Sequence, residues 1–420
     1  MPTGSASPRL LNCSSRVSAD DNPLKTRIYL DHAATSRLHP KALDAMRPYL
    51  EDEFGNPSGM YGLGKEAARA IERARSSVAD ALGCRAQEVV FTGPGTESIN
   101  AAIKGVAFAE HFAGLGNHLV TSRIEHHAVL HSCDYLAKFG FETTFVPVDA
   151  FGMVDPDVVA EAITDRTVLV SVMLANNEVG TTEPLPDIAE AVQRRAKSLR
   201  RRIALHTDAV QSANSLDLDV KRLGVDLLSL SAHKFGGPKG AGVLYMRRGT
   251  PFLEQLSGGG QERQRRAGTE NVAGIVGTAA ALCEAQAKHE QYSKACRQLS
   301  RQLAEGVLQS VPAAKLSGHP EQRLPNNVHF SFEGAQSDAM LEALDELGIA
   351  ASAGSACTSA TWEPSHVLTA MGMPLSRAAG VLRITCGPEN TAEEIDQVLS
   401  VLPRVVSESR AKARSGSSAK

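Results

Sequence analysis

The chain lacks the features that would tie it to nucleic acid, to a membrane or to an oxidising compartment. Its 420 residues carry a formal net charge of only -3, which gives no reason to expect nucleic-acid binding. No apolar run approaches the length of a membrane span. The seven cysteines are odd in number, scattered and without a C-x-x-C pair, which argues against a disulfide framework or a structural zinc site. These absences favour a reducing compartment, and we expect a cytoplasmic protein with no nucleic-acid, membrane or metal partner.

The two ends of the chain predict segments outside the folded core. Residues 1–25 are rich in serine and lack the apolar core of a secretory signal. They predict a disordered leader, and an organellar transit peptide stays open although Asp20 and Asp21 interrupt its pattern. Residues 411–420 are low in complexity and predict a flexible tail.

Between these ends, short apolar strands alternate with helical patterns. The strands are predicted at Glu88–Thr92, His118–Ile124, Phe141–Val148, Thr167–Leu174, Arg202–Thr207, Leu227–Ser231 and Gly242–Tyr245. This alternation predicts an α/β fold, with a large domain at residues 26–275 whose mostly parallel sheet is covered on both faces. A long helical region from Asn271 to Gln309, followed by mixed strands and helices, predicts a smaller α+β C-terminal domain at residues 276–410. Loops at the carboxyl ends of the large domain's strands should form the site.

One predicted strand is followed by a lysine. Lys234 stands in the stretch SAHKFGGPKG, directly after the apolar run from Val225 to Leu230. Burial would favour its neutral amine, which can form a Schiff base with an aldehyde cofactor such as pyridoxal phosphate. A solvated lysine at a strand end is the alternative, and this stretch alone does not decide between them.

Three further strand ends carry polar groups that suit such a cofactor. The turn FTGPGTES from Phe91 aims backbone N–H groups and a helix dipole at an anion, and it lacks the Gly-Lys-Ser/Thr of a Walker loop. Asp208 could keep a pyridine nitrogen protonated, which makes the ring a stronger electron sink, or it could be a helix N-cap. His126, in EHHAV, could instead be a capping or packed histidine.

Two residues of the C-terminal part suggest how a substrate is handled. Cys357 lies among small and polar residues in GSACTS, which favours an accessible thiol that can become a nucleophilic thiolate. Arg383 interrupts an apolar strand, and a buried arginine needs a carboxylate partner. That partner could be a substrate carboxylate or an internal salt bridge, and the sequence leaves both open.

Together these stretches resemble those of cysteine desulfurases of group I, the NifS/IscS-like branch of the class-V aminotransferase family. The resemblance rests on SAHKFGGPKG, HTDAVQ, EHHAV, GSACTS, the run NNEVG from Asn176 and the stretch GGGQERQRRAGTEN from Gly258. It covers about residues 27 to 405. It implies a fold-type I pyridoxal-phosphate-dependent transferase that converts L-cysteine to L-alanine. A persulfide would then pass to an acceptor protein such as an iron–sulfur scaffold.

The resemblance also implies roles for individual residues. Lys234 would be the Schiff-base lysine, Cys357 would attack sulfur and carry the persulfide, and Arg383 would bind the substrate carboxylate. Thr269 would reach the phosphate of the neighbouring subunit, which implies a homodimer. The other implied contacts are Gly95, Thr96, Ser231 and His233 at the phosphate, Asp208 at the pyridine nitrogen, Gln211 and Asn177 near the phenolic oxygen with Asn177 also near the substrate, and His126 stacked on the ring and active in proton transfer.

One position departs from the family pattern, and two rival functions share much of the evidence. Pro94 stands where the family commonly has glycine, and proline removes one N–H that could contact the phosphate. A selenocysteine lyase would share the fold and cofactor, although GSACTS favours the desulfurase. A catalytically silent scaffold homologue is disfavoured because Lys234, Asp208 and Cys357 are all present.

Overall fold

The computed structural model describes residues 28–354 and 364–417, in which strands and helices alternate. The strands are β1 (Ile28–Tyr29), β2 (Val89–Thr92), β3 (His118–Ser122), β4 (Glu142–Val146), β5 (Thr167–Ser171), β6 (Ala204–Asp208), β7 (Leu227–Ser231), β8 (Gly242–Met246), β9 (Ala314–Ser317), β10 (Asn327–Phe332), β11 (Ile349–Ala350) and β12 (Val381–Thr385). The helices are α1 (Pro40–Leu50), α2 (Gly62–Ala81), α3 (Gly95–Phe112), α4 (His127–Ala137), α5 (Pro156–Ala162), α6 (Leu185–Ser198), α7 (Val220–Leu223), α8 (Val272–Ala287), α9 (His289–Ser310), α10 (Ser337–Glu346), α11 (His366–Ala370), α12 (Leu375–Ala378) and α13 (Ala392–Ser417).

A seven-stranded sheet organises the larger part of the fold. Its strand order is β2-β8-β7-β6-β5-β3-β4. β8 runs antiparallel to both of its neighbours, and the pairs between β7 and β4 are all parallel. The predicted α/β fold with a mostly parallel sheet is therefore confirmed.

Helices cover both faces of this sheet, which explains why its central strands are buried throughout. Side chains alternate between the two faces of a strand. Leu228 and Leu230 accordingly join a core cluster with residues of α2, α6 and α8, such as Ile71. Leu227 joins a second cluster with residues of α3 and α4, such as Ile103. The sheet is thus fixed from both sides, and its strand ends form a rigid edge.

The C-terminal part is built on a three-stranded antiparallel sheet of order β12-β10-β9. Phe330 and Phe332 of β10 are fully buried in a core shared with α9, α10 and α13. β1 pairs in parallel with β11, which brings Ile28 and Leu30 into the same core. The first described strand therefore packs with the C-terminal part, although it precedes the whole large sheet in the chain.

Several predicted boundaries differ in detail from the structure. The helical region predicted from Asn271 to Gln309 is two helices, because Lys288 between α8 and α9 has non-helical dihedral angles. Strand β9 was not predicted. Helix α13 continues to Ser417, within the segment 411–420 predicted as a tail. The leader at 1–25 lies outside the described residues, and the domain boundaries stay predictions.

Within residues 28–354 and 364–417, no helix is both long and apolar enough to cross a membrane.

Candidate active site

A cavity of about 340 Å³ opens at the carboxyl ends of the parallel strands. Residues after β3, β5, β6 and β7 border it together with the N-terminus of α3, and β12 closes it from the C-terminal part. Ten of the twelve predicted site residues line this cavity, namely Gly95, Thr96, His126, Asn177, Asp208, Gln211, Ser231, His233, Lys234 and Arg383. The structure therefore brings together residues that lie nearly 300 positions apart in the chain.

The other two predicted site residues are Cys357 and Thr269. Cys357 lies outside the described residues, between Gly354 and His366, which both border the cavity. Thr269 is exposed, precedes α8 and does not line the cavity of its own chain. The roles implied for both residues stay predictions.

The amine of Lys234 is held at the cavity wall by two backbone carbonyls. Its Nζ donates to the oxygens of Ala33 at 2.5 Å and Ala34 at 2.8 Å. Burial lowers the pKa of Lys234 to about 8, helped by the positive Arg383 and opposed by nearby carboxylates. A substantial fraction of the amine is therefore neutral near pH 8, which a nucleophilic amine requires.

Asp208 ends β6 with its carboxyl group buried beside the cavity. Burial raises the pKa of Asp208 to about 6, against the hydrogen bond from Val210 and the charge of Lys234. The Val210 N–H donates to Oδ1 at 2.9 Å, but residues after Asp208 form a turn and not a helix, so Asp208 is not the helix N-cap that the sequence allowed. A cation placed beside this carboxyl would favour its ionised form.

The N-terminus of α3 borders one end of the cavity. The helix begins at Gly95, directly after Pro94, and the Gly95 N–H donates to Ser231 Oγ at 3.1 Å. Thr96 lies exposed in the first turn, where the helix dipole favours negative charge. Burial, with the charge of nearby lysines, lowers the pKa of His233 to about 4, so that its ring is neutral at physiological pH.

Gly95 packs so closely against its neighbours that there is no space for a side chain. A Cβ there would lie 2.9 Å from both Ser231 Cβ and Val210 Cγ2, closer than real Cβ contacts come. We expect Gly95→Ala to displace Ser231 and weaken cofactor binding by about tenfold or more, since a small misplacement of a site is costly. Equilibrium dialysis against pyridoxal phosphate measures the affinity. Gly62→Ala is the matched control, because Gly62 begins α2 and a Cβ there meets nothing within 4 Å; equal affinity in both variants would contradict the assignment.

His126 has two functions in the structure. It is the N-cap of α4, with Nδ1 accepting from the Ala128 N–H at 3.1 Å, as the capping alternative predicted. Its ring also borders the cavity and is accessible from it. Loss of solvent around the ring lowers the pKa of His126. The charges of Lys234 and two nearby histidines lower it further. The ring is therefore neutral at physiological pH and can lie against a cofactor.

Arg383 forms the internal salt bridge that was one of the two alternatives left open by its sequence position. Its Nη2 pairs with Asp31 Oδ1 at 2.7 Å, which is an internal salt bridge. Its Nη1 donates to the Asn177 backbone oxygen at 2.8 Å. The guanidinium nevertheless borders the cavity, where a substrate carboxylate could reach it.

Sequence analysis missed several residues of this site. For Asp31, the one indication of a role in the site was its position as a carboxylate directly after the first strand. Glu178 is buried and accepts from Ser365 Oγ at 2.5 Å, and burial raises the pKa of Glu178. His366 donates from Nε2 to the Glu125 backbone oxygen at 2.9 Å. Nothing in the local pattern of these residues predicts contacts across so many positions.

The comparisons with known proteins agree with this fold. The model of the family described as aminotransferase class-V matches residues 28–398. A "Cysteine desulfurase IscS" of Methanosarcina thermophila is 47% identical over 95% of this chain and 96% of its own length. A protein of the same name from Clostridium botulinum is 44% identical over 92% of this chain and 96% of its own length.

Solved structures give the same result. A "NIFS-LIKE PROTEIN" superposes with a TM-score of 0.84 at 37% identity, covering 91% of this chain and 100% of its own. "SspA in complex with cysteine" superposes with a TM-score of 0.75 at 36% identity, covering 87% of this chain and 100% of its own. This chain belongs to the aminotransferase class-V family and, within that family, to the cysteine desulfurases.

Proposed function

We propose that this protein is a pyridoxal 5'-phosphate-dependent cysteine desulfurase that converts L-cysteine to L-alanine and leaves the sulfur as a persulfide on Cys357. One observation carries the proposal: the Lys234 amine, the Asp208 carboxyl and the Arg383 guanidinium all border a single cavity of about 340 Å³. The cysteine desulfurase names of relatives over nearly the whole chain support the same reaction.

The residues around the cavity fit the proposed cofactor. Backbone N–H groups at the start of α3 suit a phosphate, with Thr96 and the neutral His233 beside them. Asp208 suits a positively charged pyridine nitrogen, because a cation would offset the cost of its burial. Lys234 suits an aldehyde carbon. When bound, pyridoxal phosphate supplies an electron sink for the Cα of an amino acid.

The chain's own residues would handle the substrate in three ways. Arg383 would bind the α-carboxylate of cysteine through its guanidinium. Lys234, as a neutral amine, would take the proton from Cα and return a proton to the product. Cys357 Sγ, as a thiolate, would attack the substrate sulfur: the Cβ–S bond breaks with its electron pair left on carbon, and an S–S bond forms on Cys357. Cysteine and one thiol thus become alanine and one persulfide, with no external oxidant.

The other cysteines support the choice of Cys357. Five cysteines lie within the described residues and all are unpaired: Cys84, Cys133, Cys283, Cys296 and Cys386. Burial raises the pKa of each of these thiols, to about 12 for all except Cys283. They are therefore poor nucleophiles at neutral pH. Unpaired thiols also fit a reducing compartment such as the cytoplasm.

We further propose that the active species is a homodimer and that an acceptor protein, such as an iron–sulfur scaffold, receives the sulfur. Thr269 is exposed outside its own cavity, as a residue serving a partner's phosphate site would be. We expect Thr269→Ala to lower cofactor affinity while analytical ultracentrifugation still reports a dimer. A fully active, cofactor-bound monomer in the same experiment would overturn the shared-site proposal.

The function itself is tested by supplying L-cysteine and L-selenocysteine side by side with a thiol reductant. We expect alanine and sulfide in equal amounts from cysteine. Alanine from selenocysteine alone would identify a selenocysteine lyase. No product from either substrate, together with no visible absorbance of a bound cofactor, would identify a silent homologue.

A further inference from the structure

The two cations of the active site are held by one short stretch of chain, residues 31–34, which we call the 31–34 segment. Its Asp31 side chain pairs with Arg383, and the backbone oxygens of Ala33 and Ala34 accept from Lys234. Gln211 Nε2 also donates to the Ala33 oxygen, at 3.0 Å. A stretch that follows the first strand, far from both cations in sequence, thus determines where each of them lies.

Backbone bonds tie this segment to the strand that carries Arg383. Asp31 forms a parallel bridge with Thr385 of β12. The Thr385 N–H donates to the Leu30 oxygen at 2.8 Å, and the Ala33 N–H donates to Thr385 Oγ1 at 2.9 Å. Asp31 and Arg383 therefore belong to one rigid unit, as the support of a functional side chain requires.

Asp31 is the carboxylate that neutralises a nearly inaccessible guanidinium. The Arg383 side chain is only 5% exposed and that of Asp31 is 19% exposed, with 2.7 Å between Nη2 and Oδ1. Among the described residues, the remaining partners of the guanidinium are the backbone carbonyls of Asn177 and Gly354. A buried cation that loses its carboxylate is strongly disfavoured and would move to find another partner.

The hydrogen bonds of Arg383 leave room for a second carboxylate. A guanidinium has five N–H donors. Nη1 uses its two on the oxygens of Asn177 and Gly354, and Nη2 uses one on Asp31, while Nε has no partner among the described residues. Nε is buried, so the second N–H of Nη2 is the donor left for a carboxylate in the cavity, which can bind there without displacing Asp31.

We propose that Asp31 is a positioning residue that fixes the guanidinium of Arg383 for the α-carboxylate of the amino-acid substrate, while its charge acts on the amine of Lys234. The substrate part of this inference rests on the proposed function. Asp31 acts through Arg383 and Lys234 and touches neither the reacting sulfur nor Cα. Its contact with Arg383 sets the affinity of the capture step, and its effect on the Lys234 amine is measured separately.

Steady-state kinetics with L-cysteine test the capture role. We expect Asp31→Asn to raise KM by about tenfold or more, with kcat within about threefold, because the ion pair that holds the buried Arg383 guanidinium is lost before chemistry begins. Asp31→Glu keeps the charge but moves it, and we expect a smaller rise in KM. Glu389→Gln is the control, since Glu389 is a neighbouring carboxylate that approaches His32 at 4.0 Å. A lower KM in Asp31→Asn would mean that Asp31 competes with the substrate, and an unchanged KM with a lower kcat would also overturn the proposal.

A second measurement needs neither the cofactor nor turnover. The pH dependence of Lys234 labelling by trinitrobenzenesulfonate in cofactor-free protein reports when its amine becomes neutral. Within the described residues, the charged and titratable groups that face Lys234 are Asp31, Arg383, Asp208, His126 and His233. Asp31 raises the pKa of Lys234, so removing its charge should move the labelling midpoint to lower pH.

The labelling result separates a failure of this proposal from a failure of the proposed function. We expect Asp31→Asn to shift the midpoint, and Asp31→Glu and Glu389→Gln to leave it near that of the parent protein. An unshifted midpoint in Asp31→Asn would contradict the charge effect of Asp31. A shifted midpoint in a protein that makes no alanine from cysteine would leave the charge effect standing and reject the cysteine desulfurase activity instead.

Discussion

Replacing Lys234 with alanine should abolish the reaction, with a loss of more than about 10³-fold in the rate of alanine formation, as is usual when a nucleophile is removed. Lys234 is the lysine whose amine borders the cavity, and burial lowers its pKa to about 8. The variant should lose the covalent attachment of the cofactor, although the α3 end of the cavity can still hold a phosphate. Purified protein should therefore lose the visible absorbance that the attached cofactor gives.

The matched control for this experiment is Lys239→Ala. Lys239 is exposed and follows Lys234 in the same glycine-rich stretch, so it is the alternative attachment point in sequence. After borohydride reduction of the parent protein, mass spectrometry should find the cofactor on the peptide with Lys234 modified. A label on Lys239, or full activity of Lys234→Ala, would show that the assignment is wrong.

Replacing Cys357 with serine should stop sulfur transfer while leaving the earlier steps intact. We expect a loss of about 10³-fold or more in alanine formation, because a serine hydroxyl is scarcely ionised near neutral pH whereas a thiol is partly ionised. Cofactor absorbance and its early change on adding cysteine should remain, since the other proposed cofactor and substrate contacts are unchanged. Rapid-mixing absorbance spectra report the early change on adding cysteine, and an alanine assay reports whether sulfur transfer follows.

Cys283→Ser is the control for that substitution. Cys283 is half-buried in α8, where its thiol contacts the Ser77 backbone oxygen and burial raises its pKa. This variant should transfer sulfur at nearly the parent rate. If Cys357→Ser released alanine and sulfur as fast as the parent, another cysteine or direct release of sulfide would have to carry the reaction.

Much of the site follows from the local sequence because strand ends are easy to locate. Lys234, Asp208 and His126 each come at or soon after the end of an apolar stretch. In a parallel sheet these ends lie along one edge, so polar residues at several ends converge without any knowledge of the strand order. The family resemblance then assigned chemistry to each position, and the comparisons confirm the family, the fold class and the cysteine desulfurase reaction.

The order and direction of the strands could not be predicted from the sequence. β8 follows β7 in sequence and pairs with it antiparallel, and it also separates β7 from β2 in the sheet. Its apolar pattern resembles that of its parallel neighbours, since a strand buried on both faces is apolar whatever its direction. Strand β9 was missed because it lies at the edge of the small sheet, and only one of its four residues is buried.

By itself, the sequence determined which residues could be reactive and at which edge of a sheet most of them lie. That information is local: a short apolar run marks a strand, and the residue that follows it marks the functional edge. Only the tertiary structure decided that β1 pairs with β11 and that Asp31 therefore meets Arg383 beside Lys234. Such a contact depends on the packing of segments more than 300 residues apart, and no local periodicity encodes it.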